Sequence, residues 1–106
     1  MIQIYTTPSC ASCRKAKKWF DQYKIPYSEK NIFSIKLSKE DIFRMLANSE
    51  NGFDDIISTR SKVFKEKKLD PDNMSVQELI EFIIDYPSVL KRPIIINENE
   101  LQVGYN

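Results

Sequence analysis

The chain has 106 residues, 42% hydrophobic and 29% charged, with a formal net charge of +1. That is enough for one domain with a single core, and too little positive charge to coat nucleic acid by electrostatics alone. With no histidine and only two cysteines, a four-coordinate structural zinc site would be half empty, so we expect neither a metal nor another cofactor.

Ile2-Gln3-Ile4-Tyr5-Thr6 alternates apolar and polar residues as a strand does, and Ala16, Phe20 and Tyr23 give the run from Ala11 to Tyr23 a helical stripe. Between them lies Pro8-Ser9-Cys10-Ala11-Ser12-Cys13-Arg14, which holds both cysteines of the chain. The first turn of a helix presents unpaired N–H groups and partial positive charge, which favour a thiolate at Cys10, and Arg14 and Lys15 add charge nearby. Cys13, one turn on, lies on the same face and within reach of a small disulfide ring. The alternative is two small apolar residues that merely pack, but this spacing after a strand is a redox signature. Trp19 and Phe20 read as core or near-core residues. The run Arg14, Lys15, Lys17 and Lys18 reads as a solvated helix face that could also approach DNA phosphates.

Lys24-Ile25-Pro26 breaks the helix, and Tyr27 to Ile32 reads as a second strand, parallel to the first through a right-handed crossover. Ser38 and Asp41 resemble a capping box ahead of a helix from about Lys39 to Ser49, with Asn51-Gly52 supplying the left-handed residue that ends it. Short helices are predicted between Phe53 and Asp72, including Ser61 to Lys68, then a turn at Leu69 to Asp72. Ser75 and Glu78 form a second capping box before the stripe Val76, Leu79, Ile80, Ile83 and Ile84, a core face that Tyr86-Pro87 closes. Ile94-Ile95-Ile96 suits a strand buried on both sides, and Leu101-Gln102-Val103 returns antiparallel after a polar turn. Pro93 is expected to be cis and to face Cys10.

The fold expected is α/β, with a four-stranded mixed sheet in one domain spanning residues 1–106. Met1 leads directly into a strand, without the basic start and apolar run of a signal peptide, and no stretch is long and apolar enough to span a membrane. A cytoplasmic location follows, where paired cysteines suit a switch or a catalyst better than a staple. The last strand stops at Asn106 with no helix to cover the sheet beside it, so the C-terminal segment is expected to be truncated.

This order of elements resembles the thioredoxin-like fold, with an enlarged middle from Ser34 to Leu90 like that of the arsenate reductase (ArsC) branch. Cys10-Ala11-Ser12-Cys13-Arg14-Lys15-Ala16, Asn31-Ile32-Phe33-Ser34, Ile56 to Phe64, Arg92 to Ile96 and Leu101 to Asn106 narrow the likeness to the Spx regulators of low-GC Gram-positive bacteria. That resemblance implies a regulator that binds the C-terminal domain of the RNA polymerase α subunit during disulfide stress. Cys10 and Cys13 would be its sensor, promoter DNA would be met only within the polymerase complex, and the ClpXP protease would control its level. The free protein would be a monomer and not an enzyme. By the same resemblance Gly52 marks the α-subunit contact, beside its ordinary role at a helix end. Arg92 would reach the cysteine loop, where it would otherwise be a solvated arginine, and Arg60 is similar to an anion-binding arginine of the reductases.

The rival is an arsenate reductase or glutaredoxin-like thiol oxidoreductase. Of the four arginines, Arg14, Arg44, Arg60 and Arg92, none falls in the Asn97 to Asn106 stretch where the reductase pattern places one. Cys13 stands where the reductases typically carry serine, which lets it resolve an oxidised Cys10 within the chain. A third reading, a member of the fold that acts only as a proteolytic adaptor or substrate, would need no redox control.

Overall fold

Residues 1–105 are described by the computed structural model, in which one sheet separates two unequal layers of helix. The chain runs β1 (Ile2–Thr6), α1 (Ala11–Gln22), β2 (Tyr27–Asn31), α2 (Lys39–Ala47), α3 (Phe53–Ile56), α4 (Lys62–Glu66), α5 (Val76–Asp85), β3 (Ile94–Asn97) and β4 (Glu100–Val103). Strand order is β2-β1-β3-β4. As expected, β1 and β2 are parallel, while β3 runs antiparallel to both β1 and β4.

Strand side chains alternate between the two faces. Ile4 and Ile95 pack with Ala16 and Phe20 of α1, whereas Tyr5, Ile94 and Ile96 join the core built with α2 to α5. The unbroken Ile94-Ile95-Ile96 run is therefore explained by burial on both sides, since each isoleucine has a hydrophobic layer to meet. The Arg92-Pro93 peptide is cis, as predicted.

Both capping boxes form. The Ser38 hydroxyl accepts from Asp41 N at 3.1 Å while Asp41 accepts from Ser38 N at 2.9 Å, and Ser75 and Glu78 make the same exchange. Such caps satisfy helix N–H groups that would otherwise lack partners, each contributing about 1 kcal/mol.

Helix α2 ends at Ala47, two residues short of the expected Ser49, where the Asn48 side chain donates to Arg44 O at 2.9 Å and the Ser49 hydroxyl to Leu46 O at 2.7 Å. Those side chains satisfy the last carbonyls and stop the helix at Asn48. Gly52 accordingly does not end α2: it is the N-cap of α3, with φ 65° and ψ −132°. Helix α4 is likewise shorter than predicted, closing through left-handed Lys68 (φ 53°) with Leu69 N donating to Phe64 O at 3.0 Å. Pro71–Asn73 forms a single 3-10 turn.

Trp19 corrects another expectation. Its neighbour Phe20 is buried, but Trp19 is 41% exposed and rests against Phe20 and Tyr23 at the rim of α1. It lies one step off the stripe, where the layer over the sheet is only one helix thick.

Behind the larger layer sits a polar cluster that the sequence did not disclose. Buried Asp41 accepts from the Tyr5 hydroxyl at 2.9 Å and pairs with Arg44 at 2.6 Å and Lys30 at 3.4 Å. Burial pushes the Asp41 carboxyl upward, but the Ser38 N–H, the Tyr5 and Ser38 hydroxyls and the Lys30 charge together outweigh it and bring its pKa down to about 2. Burial first, then the bond to Asp41, pushes the Tyr5 hydroxyl up to about 12. The cluster ties β1, β2 and α2 into one piece.

Candidate functional site

Cys10 is the N-cap of α1, in extended backbone (φ −100°, ψ 108°), and its Sγ accepts from Cys13 N at 3.1 Å. The two cysteines form a disulfide with their Cα atoms 5.2 Å apart. They differ in access: Cys13 is 2% exposed beneath α1, while Cys10 is half-buried on the wall of an open cleft. A helix start that donates an N–H to a sulfur is suited to holding that sulfur as a thiolate once the bond is opened.

The cleft, about 690 Å³, brings Cys10 together with Arg92 as the resemblance implied, and adds Ser58, Ser61, Lys62 and Lys91. Arg92 rather than Pro93 lines it, with the guanidinium donating to Ser88 O at 3.1 Å. Arg60 is exposed and is not among the lining residues. Arg14 and Lys15, invoked for the thiolate, are also exposed and outside the lining, and Lys17 pairs instead with Glu29 at 3.0 Å. The cations beside the sulfur thus come from α4 and from the segment before β3. Lys62 and Lys91 carried no signal in the sequence, because only the fold brings them to the N-terminus of α1.

Gly52 sits elsewhere, at the start of α3. Its φ and ψ lie in a region that glycine alone enters cheaply, yet a Cβ built there meets nothing within 4 Å. The backbone, not crowding, requires glycine. Asp55 holds the turn: one carboxylate oxygen accepts from Glu50 N and Asn51 N, each at 2.9 Å. The Asn51 N–H and side-chain amide, ahead of lesser contributions, hold the Asp55 carboxyl below its ordinary pKa.

A short strap joins the two places. Leu90 bridges Ile57 antiparallel, Ser58 N donates to Val89 O at 2.8 Å and Lys91 N to Ile56 O at 2.8 Å. The Lys91 ammonium donates to Asp54 O at 3.2 Å. Ser88, Leu90, Lys91 and Arg92 therefore line the cysteine cleft, and this segment is laced to the helix that Gly52 begins. Among the described residues no cluster of three metal-ligating side chains occurs, and no helix is long and apolar enough to cross a membrane.

The family model described as the ArsC family matches residues 5–106. The chain is 52% identical to the global transcriptional regulator Spx 1 of Bacillus cereus over 106 residues, which is all of this chain and 81% of that protein. It belongs to the ArsC family, in the Spx branch. The Spx of Bacillus subtilis is 50% identical, again over all of this chain and 81% of the relative. The Spx of Streptococcus pneumoniae is 47% identical over all of this chain and 80% of the relative.

Among solved structures, an ArsC family related protein from Bacteroides fragilis superposes with a TM-score of 0.83 at 26% identity, covering 99% of this chain and 90% of that one. An arsenate reductase from Vibrio cholerae gives 0.84 at 17% identity over 96% and 87%, a likeness of fold alone. The α/β, thioredoxin-like architecture expected from the sequence is thereby shown.

Proposed function

We propose that this Spx-branch protein is a transcriptional regulator, not an enzyme, that binds the C-terminal domain of the RNA polymerase α subunit and responds to thiol oxidation through Cys10 and Cys13. The observation that carries this reading is the strap: the segment forming one wall of the cysteine cleft is hydrogen-bonded to the helix that starts at Gly52. Cys10 shares its cleft with the strap, and the strap is hydrogen-bonded to the helix that starts at Gly52, so a change in the bond state of Cys10 lies one cleft wall away from the Gly52 turn. The names of the relatives support the regulatory role. Promoter DNA is then met within the polymerase complex, ClpXP limits the protein's lifetime, and the free form is a cytoplasmic monomer.

In this reading Gly52 is a point of close approach, since the space above it is open. Titration of the α C-terminal domain with reduced and then oxidised protein tests partner and switch together. Binding that is absent in both states ends the proposal, and equal binding with equal transcriptional output ends the redox half of it.

Gly52→Ala and Gly52→Arg separate contact from backbone strain. Both pay the cost of a left-handed non-glycine residue, about 1–3 kcal/mol, but only arginine fills the open space. We expect the alanine variant to bind within a few-fold of wild type and the arginine variant to lose binding altogether.

A reductase reading draws on the cations beside Cys10, with Arg92 and Arg60 as oxyanion ligands. It is disfavoured because Arg92 is the single arginine in the lining and Cys13 is already bonded to Cys10. Turnover of arsenate with glutathione and glutaredoxin, without binding to the α domain, would establish that reading instead.

A further inference from the structure

We propose that the Asn51-Gly52 pair is a self-modification site, where Asn51 loses ammonia through a cyclic imide and becomes isoaspartate, and that Asp55 restrains the conversion. The consequence drawn below for polymerase binding rests on the proposed function; the modification itself does not.

Three observations carry it. Asn51 is the one asparagine of the chain followed by glycine, which has no side chain to crowd its own backbone nitrogen. Asn51 is also exposed and outside any helix or strand, and among the described residues the Gly52 N–H donates to no acceptor, so that nitrogen is uncommitted. The third observation is the guard. The Asp55 carboxylate accepts from Asn51 N at 2.9 Å and from the Asn51 side-chain amide at 3.2 Å. Both bonds hold the side chain toward the amino side of its own residue, whereas the attacking nitrogen sits on the carboxyl side. The charge of Asp55 also disfavours a second negative charge forming at the Gly52 nitrogen.

The chemistry balances with one water. The Gly52 nitrogen gives up its proton and attacks Cγ of Asn51; the new C–N bond closes a five-membered ring, the Cγ–Nδ2 bond breaks, and ammonia leaves with the proton. Water then opens the ring. Opening at Cγ gives aspartate with an ordinary backbone, while opening at the backbone carbonyl gives isoaspartate, whose chain runs through the side chain and carries an extra methylene. No electrons are exchanged.

The two products differ in what they do to the turn. Asp55 N donates to Gly52 O at 3.2 Å, and Glu50 N and Asn51 N both donate to Asp55. An added methylene between Asn51 Cα and Gly52 N displaces these groups, and the released carboxylate faces that of Asp55. Aspartate keeps the backbone and changes only an exposed charge, which weighs little. Isoaspartate, then, dismantles the surface at Gly52.

The test begins with the folded protein held in mildly alkaline buffer, followed by peptide mass analysis and labelling with an isoaspartyl methyltransferase. Isoaspartate should accumulate at position 51 ahead of every other asparagine. In Asp55→Ala the rate at position 51, expressed relative to Asn48 of the same chain so that general loosening cancels, should rise several-fold. Absence of isoaspartate at position 51, or a relative rate unmoved by Asp55→Ala, would overturn the proposal.

Binding of the α C-terminal domain is then compared for fresh protein, for Asn51→Asp and for the isoaspartate form resolved by chromatography. Asn51→Asp should bind within a few-fold of fresh protein, and the isoaspartate form at least about tenfold more weakly. Equal binding by the isoaspartate form would overturn the consequence drawn for the turn. Fresh protein that fails to bind would end the proposed function instead, since the mass analysis takes no account of the polymerase.

Discussion

The two faces of the sheet are built on different scales. Over one, α1 packs with four buried residues, Ile4, Ala16, Phe20 and Ile95; over the other, sixteen buried residues and an ion cluster join the sheet to the remaining helices. The reactive pair sits at the start of the single helix on the thinner face, while its cleft is walled by the thicker one. Under the proposed function, sensing would be placed where little packing has to be disturbed. The surface proposed to report it stands on the part of the fold that is hardest to deform.

The comparison breaks first at Asp41. Replacing it by alanine removes the acceptor of the buried Tyr5 hydroxyl, opens the α2 capping box and takes the counter-charge from Lys30 and Arg44, so urea unfolding should show a loss of about 3–4 kcal/mol. Next is Phe20→Ala on the thin face. Because that layer is shallow, its cost should fall near about 3 kcal/mol, the lower end for a core phenylalanine.

Acid sharpens the contrast. The folded-state pKa of Asp41, about 2, lies below its ordinary 3.8, so its contribution is present above pH 4 and lost as pH falls through 2. That amounts to about 2 kcal/mol, and it should be missing from the stability profile of Asp41→Asn. Smaller still is Lys91→Met, which removes the ammonium contact to Asp54 O while leaving the backbone lacing: about 1 kcal/mol or less in stability. Its larger effect should be on coupling. Amide exchange at residues 50–57 should respond to reduction of the disulfide in the wild type and respond less in the variant.

Much of this arrangement was legible from local signals. Ser38 and Ser75 marked their helices because capping needs only residues three apart, and the isoleucine run of β3 announced a strand between two layers. Gly52 was legible as a left-handed residue but not as the start of α3, since Asn-Gly reads the same at the end of one helix or before the next. Asp41 was visible as a cap and invisible as the centre of a cluster, because Tyr5 lies 36 positions away in sequence. The cleft was half legible: Cys10 and Arg92 carried signals, whereas Lys62 and Lys91 are ordinary surface lysines until the strap and α4 bring them to one place. Residues 101–105 of the last Spx-like string fall within the described structure, and Asn106 lies outside it.

The order β2-β1-β3-β4 leaves two strands bordering solvent. An uncovered border tends to recruit a neighbour's strand, and polar or charged residues there blunt that tendency. Here the outer strands carry Glu29 and Lys30 on one side and Glu100 and Gln102 on the other. Charges at these borders weigh against border-to-border pairing of two copies.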